Sequence, residues 1–478
     1  MLCLVLGFSS CNDFLDQEPT NSANAEDAIA TTSDAQVALN GIMRAMSSSS
    51  YYGRNMLLYG DVKGGDVTIF SAGRGMDGLY SFNHSATSGS YSGFWSRGYY
   101  CLNQVNNLLI NIEKLEGEGQ TGFDSYKGQA YTLRALMYFD LVRLYGKPYN
   151  YDKSAYGVPD ITTVLDATAQ PTRATVEENY KRILSDLQLG ATALSADKSL
   201  RKGFVGYYAN KALEARVKLY MEDYSGALAA AKEVIESGKY TLYSPSEWVD
   251  SWKSKYGSES ILELGIDTES DLGTSSLGIY YLRAKQKPYT SVMGYFMASE
   301  YFLDRLGEDP DDVRWGVMDY DESSETRLGC CYKYLGGTDL SGDGGETATA
   351  CNIKIIRLSE MYLIAAECAL QTGDAESAAD YLNAIRKRAP NLEPATEATV
   401  SIQMILDERS KELFGEGHRF FDMIRLNQSI EFNDDWQDVP VSHREKVIDR
   451  TFYKTILPID QDEINANPAI ASQQNPGY

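Results

Sequence analysis

One pattern occurs twice in this chain and fixes most of its architecture. Residues 210–240 (NKALEARVKLYMEDYSGALAAAKEVIESGKY) and 357–389 (RLSEMYLIAAECALQTGDAESAADYLNAIRKRA) each read as a helix, a tight turn at MEDY or TGDA, and an Ala-rich second helix. Small Ala side chains let two helices approach closely. A single helix pair cannot bury its own apolar face, so several must stack. Residues 124–145 supply another member: Leu133, Leu136, Met137, Leu141 and Leu144 fall at helical spacing, and Gly146 and Pro148 then stop the helix. Residues 173–192 supply one more, with Thr175 three residues before Glu178 as a capping box.

The pair length of about 34 residues is that of tetratricopeptide repeats. The expected fold is therefore mainly α: tetratricopeptide-repeat-like helical pairs as an α/α superhelical scaffold, with a loop-rich ligand-binding region and a few short strands. A helix is also expected over 94–116, and one after Ser33 or Asp34, either of which can serve as its cap. Residues 47–93 hold many Ser, Gly and Tyr without a lasting period and read as loops. Between the two repeated pairs, SILELGI (260–266) reads as a strand, followed by a long irregular stretch rich in Tyr, Gly and Asp. An irregular stretch of that length in a folded chain is usually functional or disordered, and its aromatics favour function.

The 478 residues, 43% of them hydrophobic, suffice for a sizeable core. A net charge of −23 repels phosphate backbones and anionic lipid, so no nucleic-acid partner is expected. The three His (His84, His418, His443) are scattered, and no Cys/His group has zinc-ligand spacing. TDLSGDGGETA (338–348) resembles a calcium loop only loosely and lacks full EF-hand spacing, so no cofactor is expected. Cys330 and Cys331 stand where either can pair with Cys351 in an oxidising compartment, which the sequence leaves open. Residues 1–10 (MLCLVLGFSS) look like the end of a signal-peptide apolar region, too short to span a bilayer. The small residues before Cys11 resemble a bacterial lipobox, which makes Cys11 the expected lipidation site.

Nine blocks, in order, resemble the SusD/RagB family over nearly the whole chain. They are CNDFLDQEP (11–19), FWSRGYYCLNQVNNLL (94–109), GQAYTLRALMYFDLVRLYGKP (128–148), PTRATVEENYKRILSDL (171–187) and ANKALEARVKLYMEDYSGALAAAKEVIESGKYTL (209–242), then RLSEMYLIAAECAL (357–370), ILDERSKELFGEGHRFFDMIR (405–425), ILPIDQDEINANP (456–468) and QNPGY (474–478). The resemblance implies one globule in which an N-terminal region of about 11–240 and a C-terminal region of about 241–478 interleave. It implies a lipid-anchored protein on the outer leaflet of an outer membrane, capping a SusC-like TonB-dependent transporter as its partner. It also implies a glycan ligand and no catalysis. A peptide ligand on the same fold, a ligandless lid and, less in keeping with the family, a glycoside hydrolase remain alternatives. A hydrolase needs two carboxyls across the scissile bond, and no pair is marked.

Sugar rings present C–H faces that flat aromatics cover and hydroxyl edges that Asp, Asn, Gln and Arg bond. Such side chains must sit on loops, where the core does not consume them. Two regions qualify, 59–95 and 279–334, and within them Asp66, Arg74, Tyr80, Tyr281, Tyr289 and Trp315 are the expected ligand contacts. Trp95, inside a helix block, is expected in the core. Glu408, Glu412, Glu416 and Asp422 invite an acid–base reading, but a buried or partner-facing structural role, with Arg409, Arg419 and Arg425 pairing these acids, is expected, as it is for Arg134 and Asp140.

Overall fold

A computed structural model describes residues 29–69, 76–87, 93–266, 272, 275–282, 293–320, 328–334, 351–435 and 441–478. In chain order the first helices are α1 (Thr32–Met46), α2 (Asn55–Val62), α3 (Asp77–Tyr80), α4 (Gly93–Gly117), α5 (Asp124–Tyr145), α6 (Tyr149–Asp152), α7 (Val176–Leu194), α8 (Tyr207–Tyr220) and α9 (Tyr224–Ile235). Then come α10 (Pro245–Trp248), α11 (Leu277–Tyr281), α12 (Glu300–Leu306), α13 (Leu358–Gln371), α14 (Ala375–Arg386), α15 (Ile402–Glu412), α16 (Arg419–Arg425) and α17 (Gln461–Ala466).

The expected pairs form. α4 packs on α5, α5 on α7, α7 on α8, α8 on α9, α9 on α13 and α13 on α14. The Ala faces are buried as the close approach requires: Ala227, Ala230 and Ala231 on α9, and Ala365, Ala366 and Ala369 on α13. α7 opens with the Thr175–Glu178 capping box. The cap of α1 lies two residues before Ser33 and three before Asp34: Thr31 is the N-cap, and Asp34 is its box partner at the third helical position. Trp95 lies in the core, 4% exposed.

The 47–93 region is more ordered than its composition suggests. α2 is buried at every residue, so it shows no amphipathic period by which to recognise it. Short antiparallel pairs tie distant parts of the chain together. β1 (Val67–Ile69) pairs with β3 (Phe296–Ala298), and β2 (Ser260–Leu264) with β6 (Ile353–Arg357). β4 (Met318–Tyr320) pairs with β5 (Leu328–Cys331), and β7 (Ile430–Glu431) with β8 (Val447–Ile448). The strand expected at 260–266 is β2. The main hydrophobic cluster draws on residues from Ile29 to Ile470, and two smaller ones lie around Trp248 and around Leu382.

The chain end is clasped into this core. The buried Arg173 donates to the carbonyl oxygens of Gly157, Tyr145 and Gln473 and to Asn475 Oδ1. Tyr478 stacks on His84 at 6.0 Å between ring centroids.

The acid block is buried and ion-paired, with partners other than those expected for the three glutamates. α15 stops at Glu412 because Gly415 turns the backbone to φ +81°, so Glu416 leaves the helical face. Glu408 binds Arg314 at 2.6 Å. Glu412 takes Arg388 at 2.9 Å and Arg357 at 3.2 Å, and Glu416 takes Arg357 at 2.7 Å and Lys333 at 2.8 Å. Asp422 pairs with Arg409 and Arg425 as expected, and Arg425 also holds Glu367. Arg134 pairs with Asp186 and Asp140 with Arg143, each at 2.6 Å. Cys331 is a buried free thiol.

Candidate functional site

The two regions expected to carry ligand contacts are brought together by the β1–β3 pairing. Its register sets Ile69 opposite Phe296 and Val67 opposite Ala298. The chain therefore leaves β1 toward residue 70 at the same sheet end where it enters β3 from residue 295. Arg74 lies just beyond the first of these points and Tyr289 just before the second. Both, with Cys11, Tyr91 and the 338–348 loop, fall outside the described residues. α11 stands beside this sheet end: backbone N–H groups of Met293 and Gly294 donate to the Ile279 carbonyl. Gly278, Leu272, Tyr334 and Cys351 line one small pocket, so the chain also departs at 334 and returns at 351 close to α11.

The other four expected contacts are described, and each is engaged inside the protein. Asp66 is 3% exposed. It accepts from Arg305 at 3.1 Å, from the Ser410 hydroxyl, and faces Arg419 at 3.2 Å. Burial pushes its carboxyl up, but Arg419 and Arg305 outweigh that and hold it below the usual carboxylate range. Tyr80 is fully buried, edge-on to Phe432 at 5.6 Å, with the Arg444 guanidinium 4.8 Å from its centroid. Tyr281 is fully buried too; its hydroxyl donates to Asp61 at 3.3 Å, and burial raises its pKa well above the ordinary tyrosine value. Trp315 is half-buried and its indole N–H donates to the Asp309 carbonyl at 3.2 Å. Asp66, Tyr80 and Tyr281 are thus buried within the protein, whereas Trp315 remains half-buried. Tyr281 stands on α11 beside this sheet end, while Trp315 belongs to the turn that binds Arg388 through the Val313 N–H.

Sequence reasoning missed one cluster at this place. Arg54 donates to the Tyr280 hydroxyl at 2.7 Å and sits 4.8 Å from that ring's centroid. Tyr280 in turn lies against Tyr295 at 5.3 Å with a 31° interplanar angle. Both rings are 8% exposed. The YY pair at 280–281 carried a partial signal: helical α11 turns adjacent residues to different sides, sending Tyr281 inward to Asp61 and Tyr280 toward Arg54. Nothing in the local sequence links Arg54 to them across some 226 positions. Among the described residues, no group of three His, Cys, Asp or Glu could hold a metal ion.

Comparison with known proteins agrees with this architecture. A profile of the SusD family matches residues 313–478, and a profile described as "Starch-binding associating with outer membrane" matches residues 13–219. SusD-like protein P38 of Formosa agariphila is 25% identical over 490 aligned positions, covering 90% of this chain and 91% of that one. The crystal structure of a SusD superfamily protein from Bacteroides thetaiotaomicron is 34% identical with a TM-score of 0.84, covering 94% of this chain and all of that one. A laminarin-binding SusD-like protein shares the fold at 22% identity and a TM-score of 0.71, covering 94% of this chain and all of that one. The helical pairs, the order of the blocks and the full-length structural match place this chain in the SusD/RagB family.

Proposed function

We propose that this chain is a cell-surface glycan receptor that captures an oligo- or polysaccharide and passes it to a SusC-like TonB-dependent transporter, without catalysis. The observation that carries the reading is the β1–β3 pairing: it draws two Tyr-rich segments, 230 positions apart in sequence, to one end of a rigid helical scaffold. That is how a binding surface is built from variable loops on a fixed frame. Arg74 and Tyr289 are the contacts we assign to it, with the Arg54–Tyr280–Tyr295 cluster as its floor. A relative of the same fold binds laminarin, which supports a glycan over a peptide. Anchoring through lipid on Cys11 at the outer membrane follows the family's habit.

The test is retardation of the soluble chain in affinity gels containing plant, host and microbial polysaccharides, with Arg74→Ala and Tyr289→Ala alongside. Retardation by one glycan class, lost in either variant at unchanged circular dichroism, is the expected result. Retardation by none, with capture of a peptide library instead, overturns the glycan reading. Release of reducing ends from a retarding polysaccharide overturns the non-catalytic one.

A further inference from the structure

The first turn of α5, the last turn of α7 and the loop leading into α8 surround a pocket that encloses about 190 Å3. At roughly 30 Å3 for each molecule that is room for about six waters, and a cavity of about 150 Å3 already admits benzene. A six-membered ring therefore fits, with its substituents toward the mouth. The floor is apolar. Ala193 and Leu194 close α7, and Val205 lies just before α8. Leu194 and Val205 are buried, which fixes them in place. The rim is polar on two sides: Asp124 and Ser125 stand on α5, and Asp197, Ser199 and Arg201 on the loop.

The loop is shaped by its own bonds. Asp197 accepts from the Ser199 N–H at 2.9 Å, and the Phe204 N–H closes a turn on the Arg201 carbonyl at 3.2 Å. Gly203 takes φ +79° and lies against the Tyr256 ring, so closely that a Cβ there would stand 3.3 Å from it. Arg201 reaches across to α5, donating from Nη1 to Ser125 Oγ at 3.1 Å, with its guanidinium 5.0 Å from the Phe204 ring centroid. These bonds hold opposite charges apart. Asp124 and Asp197 line the same pocket as Arg201, yet among the described residues Arg201 makes no ion pair. Ser199, and at longer range Arg201, hold the Asp197 carboxyl below its ordinary pKa, so it stands ready as an acceptor. Asp124 faces Lys127 at 3.6 Å, a cation that Glu116 also holds at 2.7 Å. Acceptors and a planar donor thus ring an apolar floor without closing on one another.

We propose that this pocket binds one uncharged sugar ring, as a site separate from the loop surface and on other elements of the fold. The C–H face of the ring rests on Leu194 and Val205, hydroxyls donate to Asp124 and Asp197, and Arg201 donates to a hydroxyl oxygen. A hydroxyl both donates and accepts, so a ring with hydroxyls around its edge meets both sides of the rim. A free amino acid carries its two charges on one carbon and leaves the α5 side unmet. The reading does not depend on the polysaccharide surface proposed above. The experiment is saturation-transfer NMR on the full chain with glucose, galactose, mannose and xylose, and with leucine as the zwitterionic counter-probe. At least one sugar is expected to bind with a Kd of about 1 mM. Arg201→Ala is expected to weaken binding about tenfold, the lower end for a hydrogen bond to a charged group. Ala196→Phe, which places a ring in the pocket, is expected to abolish it. Both positions are exposed, so both variants are expected to keep the wild-type Tm and the wild-type retardation in polysaccharide gels, which keeps the two sites distinguishable. No sugar bound at about 10 mM, tenfold above a millimolar Kd, or sugar binding indifferent to either variant, or leucine bound where no sugar is, overturns the proposal.

Discussion

Replacing Glu412 by Gln removes one charge from the most enclosed ionic network in the molecule while keeping the side-chain shape. Glu412 is fully buried and accepts from Arg388, Arg357 and the Trp248 indole N–H. Burial pushes its carboxyl up, but Arg388, Arg357 and Arg314 together bring it down to about 2. Against an ordinary glutamate near 4.5, that depression corresponds to about 3 kcal/mol of native-state preference for the charged form. Breaking one partner out of a buried pair costs roughly 3–5 kcal/mol by an independent route, and the two figures agree. Unfolding entropy of about 2.1 cal/mol/K per residue gives roughly 1 kcal/mol/K for a chain of 478 residues. Glu412→Gln is therefore expected to lower Tm by about 3 °C at pH 7, read by calorimetry, with a matching drop in urea midpoint. The sign of the pH dependence follows from the depressed pKa. The stabilisation is complete above pH 4.5 and is lost as pH falls toward about 2, so the gap between wild type and variant closes over that window. An unchanged Tm, or a gap that stays constant or widens on acidification, would refute this account of the network.

Lys63 is fully buried, its ammonium 3.9 Å from the Phe82 ring centroid and 4.4 Å from that of Tyr59, with no hydrogen-bond acceptor among the described residues. Burial, then Lys454 and Arg444, hold its pKa well below the ordinary lysine value, so Lys63→Met is expected to raise Tm at pH 7 and to lose that advantage as pH climbs toward 10.5. Asp66→Asn is expected to destabilise by about 3 kcal/mol in urea unfolding, because Arg305 and Arg419 lose their shared anion, and to leave glycan retardation unchanged; the converse outcome would make Asp66 a ligand contact after all. Thr175→Ala is expected to cost about 1 kcal/mol in the same assay by removing the α7 cap.

What was legible in the sequence follows from range. Helical period, caps and turn residues act within a few positions, so α5, α7 and both Ala-rich pairs could be read directly. α2 could not, because a helix buried on every side has no polar face to betray it. The surroundings of the candidate site residues were hidden for another reason. Asp66 in a Gly-rich stretch looks the same whether it faces solvent or anchors Ser410, 344 positions away. Tyr80 and Tyr281 look like loop aromatics until Phe432 and Asp61 are placed beside them. Likewise the acid series 408, 412 and 416 shows its charges but not its partners, since Arg314, Arg357 and Arg388 arrive from other elements.

The clasp around Arg173 sets a condition on how the chain can fold. Its acceptors at Gln473 and Asn475 lie 300 and 302 positions downstream. Until those residues exist, the buried guanidinium lacks two of its five acceptors, and α5 and the 157–175 segment lack their seal. The helical pairs can form as the chain grows, but the native core closes last and from its tail. Removing the final six residues is then no trimming of a loose end: it takes away the keystone, and the chain should accumulate as packed helices around an unfinished centre.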